Sequence, residues 1–96
     1  MALLFEWDSR KAHGNAAKHG VTFDEASTVF QDAGSVTIGD PLHSADEDRF
    51  VLIGQSHRGR LLVVAHTERG DRIRIITARP ATPVERRTYE ENAKRP

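Results

Sequence analysis

Between Arg49 and Arg79 the chain sets out the residue types that metal-free cleavage of RNA requires, with seven arginines, two histidines and Glu68 in one stretch. That reaction needs a base for the 2′-hydroxyl proton, an acid for the leaving oxygen and cations for the pentacoordinate phosphate. His66 or Glu68 fits the base, and His66 or His57 the acid. Arg72, Arg74 and Arg60 fit a phosphate clamp, with Arg79 as a further cation. Every basic side chain in the stretch is arginine, whose planar fork grips phosphate bidentately. Arg49 has two readings: a contact to RNA, or half of an exposed cross-strand ion pair with Glu68, an interaction of about 0.2 to 1 kcal/mol. A lone histidine beside a glutamate on a strand is more often a structural pair than a catalytic one. The chemical reading therefore depends on these groups sharing one face.

Turns decide which face each group takes. Three β-rich runs are separated by Arg58-Gly59 and by Glu68-Arg69-Gly70-Asp71, both hairpin signals. A two-residue turn at the first pairs His57 with Arg60, Val51 with His66 and Arg49 with Glu68. A three-residue loop at the second, with Gly70 left-handed, pairs His66 with Arg72 and Val64 with Arg74. Alternation then gives one face to Phe50, Leu52, Leu61, Val63, Ala65, Ile73 and Ile75 as the core. The opposite face carries Arg49, His57, Arg60, His66, Glu68, Arg72 and Arg74 as the working surface.

Ahead of these strands, Leu3 to Trp7 reads as a short strand, and Asp8 or Ser9 caps a helix over 10–18 that His19-Gly20 ends. Thr22 with Glu25 is a capping box for a second helix over 23–31, and Val36 to Ile38 is a strand. A third helix, with Thr82 as cap, Pro83 first and Glu85 closing a second capping box, runs to about Lys94 with a thin apolar side that includes Tyr89. The predicted class is α+β: two N-terminal helices on an antiparallel sheet of four or five strands, and a C-terminal helix. Gly39 to Asp48 reads as a solvated loop in which His43 and its aspartates match no metal-ligand spacing. His13 and His19, six apart on a helix, cannot share an ion. Phe5 and Trp7 read as core, with base stacking on Trp7 as the alternative. No phosphate-binding glycine motif, nucleophile elbow or dinucleotide fingerprint is present, so no cofactor or metal is expected.

Ninety-six residues, 38% hydrophobic and 29% charged, suit a single globular domain over 1–96. Cysteine is absent, which excludes disulfides and thiolate chemistry and fits a reducing compartment. With neither a signal-peptide pattern nor a long apolar run, a soluble cytoplasmic protein is expected. The net charge of zero conceals a division: residues 1–48 hold nine acids and three bases, and 49–79 seven bases and two acids. The second block suits phosphate, while the first discourages indiscriminate adhesion to nucleic acid or faces a basic partner.

The segments FEWD (Phe5 to Asp8), KHGVTFDEA (Lys18 to Ala26), RGRLLVVAHTERGDRIRIITAR (Arg58 to Arg79) and ERRTYEE (Glu85 to Glu91) resemble the BrnT family of bacterial toxins in order and spacing over nearly the whole chain. The resemblance implies a RelE-like fold and an endoribonuclease that inhibits translation. It also implies a cognate BrnA-type antitoxin with a ribbon-helix-helix DNA-binding region, assembled as a heterotetramer and carrying the pair to operator DNA. His66, Glu68, Arg72, Arg74 and Arg79 resemble the family's polar surface positions. Ser9, where a proline is common, and Gly14, inside a helix, depart from the pattern. The expected function is a metal-independent endoribonuclease leaving 2′,3′-cyclic phosphate and 5′-hydroxyl ends, with His66, Glu68, Arg72 and Arg74 catalytic and Arg49, His57, Arg60 and Arg79 binding RNA. Two rivals stay open: a non-catalytic module that binds RNA or a partner, and an inactive partner that only co-represses an operon.

Overall fold

A computed structural model describes residues 3–39 and 49–93. The loop around His43 and the residues from Lys94 onward lie outside the described residues. The elements in order are β1 (Leu4–Glu6), α1 (Ser9–His19), α2 (Phe23–Thr28) running into a 3-10 turn (Val29–Gln31), β2 (Val36–Gly39), β3 (Arg49–Gln55), β4 (Leu61–Arg69), β5 (Arg72–Pro80) and α3 (Pro83–Ala93). The α+β class and all three helices match expectation.

Local chemistry explains the helix ends. Asp8 Oδ1 accepts from the N–H groups of Arg10 at 2.8 Å and Lys11 at 3.1 Å, which satisfies two of the free donors at the start of α1. Gly20, at φ +69°, closes the helix in the left-handed region. Thr22 Oγ1 accepts from the Glu25 N–H at 3.1 Å, the expected half of a capping box. The box at α3 is complete: Glu85 N–H donates to Thr82 Oγ1 at 3.2 Å and Thr82 N–H to Glu85 Oε1 at 2.9 Å.

The sheet runs β1-β5-β4-β3-β2. It is mixed rather than antiparallel, because β1 lies parallel to β5 with Phe5 opposite Ile73. β1 reaches β5 only after the helices and three strands intervene, so no hairpin dictates an antiparallel pairing.

Both predicted registers are corrected. At the first turn Ser56 N–H donates to Arg60 O and Gly59 N–H to Ser56 O, which leaves a three-residue loop with Gly59 at φ +78°. A two-residue turn of the tight hairpin type would have put Arg58 at positive φ, and only glycines occupy that region among the described residues. β3 therefore pairs Arg49 with Thr67, Phe50 with His66 and Val51 with Ala65, one residue from the expected register. At the second turn Arg69 pairs with Arg72 across a two-residue loop whose first member, Gly70, has φ +60°. A bulge between Ala65 and His66 leaves Ile76 unpaired on β5.

Consequently β4 is turned over relative to both neighbours. Leu62 and Val64, rather than Leu61 and Val63, pack under α1 and α2 with Leu52, Ile75 and Ala78, against Val21, Phe23, Ala26 and Val29. Leu61 and Val63 join Ile53 on the opposite face, where Tyr89 of α3 covers them. β4 is buried continuously from Leu61 to Thr67, so its apolar pattern has no alternation to mark an inner side. Asn15, also buried, anchors α1 to β5. Its Nδ2 donates to Ala78 O at 2.7 Å and to Val21 O at 2.9 Å, and its Oδ1 accepts from Ala78 N–H at 3.0 Å.

Candidate phosphate-binding face

The register divides the expected site between two faces. Arg49, Arg72 and Arg74 share the α3 side of the sheet because the two slips, both odd, reverse β4 but leave β3 and β5 in phase, and the bulge at Ile76 brings Arg79 to the same side. His66 and Glu68 lie on the other side with Phe50 and Ile73. Strand parity therefore contradicts the expected single working surface.

His66 is 3% exposed. Its ring meets Phe30 edge-on at 4.8 Å between centroids and stacks on Phe50 at 5.8 Å. Burial lowers its pKa below the usual histidine value, so the neutral ring is favoured. It has packed neighbours and no open route to a phosphate. Glu68, although exposed, accompanies it on that side. His57 sits in the β3–β4 loop, where its N–H donates to Thr28 Oγ1 at 2.9 Å and Nδ1 lies 3.3 Å from the same oxygen.

Arg60 also turns to the helix side, and its expected RNA contact is replaced by a buried carboxylate. Its Nε donates to Glu25 Oε2 at 2.9 Å, its Nη2 donates to Glu25 Oε1, and the same Nη2 reaches Gly20 O at 3.0 Å. Ser56 Oγ donates to Glu25 Oε2 at 2.7 Å. Glu25 is 3% exposed. The Arg60 fork holds its carboxyl down at about 2, against the opposing effect of burial. Glu25 thus turns away from its capping-box role to tie the β3–β4 hairpin to α2.

The α3-side face is built differently. One row crosses four strands: Arg49 of β3, Thr67 of β4, Arg74 of β5 and Glu6 of β1. Arg74 Nη1 donates to Glu6 Oε2 at 2.9 Å. Arg72, one step along the alternation from Arg74, is exposed and has no ion-pair partner among the described residues. Arg79 donates through both Nη atoms to Glu85, at 2.7 Å each, and this fork keeps Glu85 at about 2. At the centre, Thr67 is wholly buried, and among the described residues its Oγ1 has no hydrogen-bond partner; neither has the buried Nε of Arg49, nor Nδ1 of His66 on the other face. Buried polar atoms are ordinarily satisfied; these lie beneath the surface, and the row presents its charge to solvent through Arg72, which is exposed.

Sequence reasoning does not reach Thr67 or Glu6 and finds Glu25 and Glu85 only as caps. Thr67 sat inside an apolar run, and Glu6 joins the row through a parallel pairing that no local signal announces.

A five-stranded sheet with two helices on one side and an arginine-rich row on the other defines a small α+β protein with a candidate phosphate-binding face. A family model described as the ribonuclease toxin BrnT of type II toxin-antitoxin systems matches residues 7–85, and the chain belongs to that family. The crystal structure of the Brucella abortus ribonuclease toxin BrnT is similar, with a TM-score of 0.66, covering 84% of this chain and 99% of that one at 23% identity. At that identity the likeness carries the fold. No curated protein matches the sequence.

Proposed function

We propose that the chain is a toxin endoribonuclease that grips the scissile phosphate with Arg49, Arg72 and Arg74 around Thr67 and cleaves by attack of the adjacent 2′-hydroxyl. The observation that carries this is the placement of Arg49, Arg72 and Arg74 on one face of the sheet, with Arg74 paired to Glu6 and Arg72 exposed beside it. In the reaction O2′ bonds to phosphorus, the bond to O5′ breaks, and the products are a 2′,3′-cyclic phosphate and a 5′-hydroxyl that takes its proton from solvent. Guanidinium groups neutralise the charge that gathers on the phosphoryl oxygens. Glu6 is the carboxylate in the same row. As Arg74 transfers its N–H groups to phosphate, Glu6 is released to accept the 2′-proton.

The proton roles expected of His66 and Glu68 find no support on this face, and Arg60 has its own internal partner. Arg79 is held at the margin by Glu85. No step depends on a metal, so cleavage should persist in EDTA.

The family also supports a cognate antitoxin as partner. In this reading a ribbon-helix-helix antitoxin neutralises the toxin in a heterotetramer, touches operator DNA itself, and acts in the cytoplasm where the RNA is.

The test is turnover. Wild type should cut RNA in excess over enzyme, in EDTA, leaving cyclic-phosphate ends. Arg72→Ala and Arg74→Ala should each lower kcat/KM by about 10-fold or more, equivalent to about 1.4 kcal/mol, and Glu6→Gln should lower kcat. Stoichiometric protection of RNA without cleavage would instead identify a binding module.

A further inference from the structure

The bulge in β5 opens a notch that the proposed reaction does not use. Unpaired Ile76, with Thr77, lines an open cavity of about 300 Å³ against α1. β1 ends at Glu6, opposite Arg74, so past that point the outer side of β5 meets α1 instead of a strand. Lys11, Gly14 and Lys18, three and four residues apart, fall on one side of the helix and line the notch together with His19. Nothing lies within 4 Å of where a Cβ on Gly14 would stand, so the gap between the two lysines is clear. No acidic side chain lines it, and neither lysine is in an ion pair among the described residues. In a chain of zero net charge, an open notch whose charged lining is Lys11 and Lys18 favours an anion.

We infer that this notch holds a backbone phosphate of the RNA flanking the scissile one. Thr77 is three positions beyond Arg74 and two before Arg79, about 7 to 10 Å along an extended strand. An RNA strand gripped at Arg74 reaches the lysines by continuing over the edge of β5. Lysine suits a flanking position, because its compact charge holds phosphate without imposing one orientation and reads no base. The bulge supplies the geometry by re-aiming side chains at the strand's edge. This inference rests on the clamp reading and narrows the substrate to RNA that extends beyond the scissile dinucleotide.

The experiment compares the full chain with a Lys11→Glu/Lys18→Glu variant and with Gly14→Glu, which puts an acid between the lysines while improving helix propensity. Each is assayed on a dinucleotide and on a single strand of roughly twenty nucleotides. The expected result on the long strand is a KM raised about 10-fold or more with kcat unchanged. The log-log salt dependence of long-strand binding should weaken by about 0.7 for the one lost phosphate contact in the double variant. Dinucleotide cleavage should be unaltered. Equal losses on both substrates would overturn the inference, as would wild-type binding and cleavage of the long strand. So would unchanged long-strand kinetics coupled with loss of antitoxin neutralisation, which would make the notch a protein contact. Failure of the clamp reads out separately, as dinucleotide cleavage undiminished in Arg74→Ala.

Discussion

Replacing Glu25 with glutamine tests how strongly one buried carboxylate holds the hairpin to α2. Glutamine keeps the shape and one acceptor oxygen, but it removes the charge and turns an amide N–H2 toward the Arg60 fork. The depression of the Glu25 pKa from 4.5 to about 2 corresponds to a ceiling of about 3 kcal/mol, at about 1.4 kcal/mol per pH unit. The Arg60 side chain is 36% exposed, so water screens the pair, and a loss of about 2 kcal/mol is expected. In a domain of this length that lowers Tm by about 10 °C. The folded carboxyl ionises more readily than the unfolded one. Its contribution is therefore complete above about pH 4.5 and fades as the pH falls toward 2. Urea unfolding at pH 7 and near pH 2.5 should show wild type well above the variant at neutral pH and the gap narrowing in acid. Glu85 titrates in the same window, but it is present in both proteins and drops out of the difference. Equal stability at pH 7, or a gap that stays constant into acid, would refute the assignment.

Two further outcomes follow from the packing. His66→Phe should fold and cleave RNA within roughly three-fold of wild type. Because the His66 pKa is lowered in the fold, wild type should lose stability as the pH falls below about 6.5, and the variant, followed by thermal unfolding, should lack that component. Asn15→Leu removes three hydrogen bonds to Val21 and Ala78. Denaturant unfolding should register a loss of about 3 kcal/mol, since the backbone groups of both residues are left without partners.

What could be read ahead of the coordinates was local. Asp8, Gly20, Thr22 and the Thr82–Glu85 pair mark helix ends through contacts within a few residues, and all four stand where the sequence places them. Register is different, because it turns on loop length. Arg58-Gly59 reads equally as a pair or as the end of a triplet, and the choice inverts every side chain beyond it. The apolar pattern of β4 was no help, since the strand is covered on both sides. Arg49, Arg72 and Arg74 share a face because two odd slips cancel in parity, Arg79 joins them only through the bulge at Ile76, and His66 and Glu68 lie on the other side. Arg60 was read by type alone, and its partner Glu25 lies 35 positions away, beyond any local signal.

Asn15 also governs how the molecule meets its own kind. Its amide mimics a peptide group, filling the donor and acceptor that Ala78 would otherwise offer to a passing strand. A lone strand border invites stacking into ribbons, and this one is plugged from within the same chain. Polymerisation by strand addition is thereby denied Ala78 on the border of β5 beyond the end of β1.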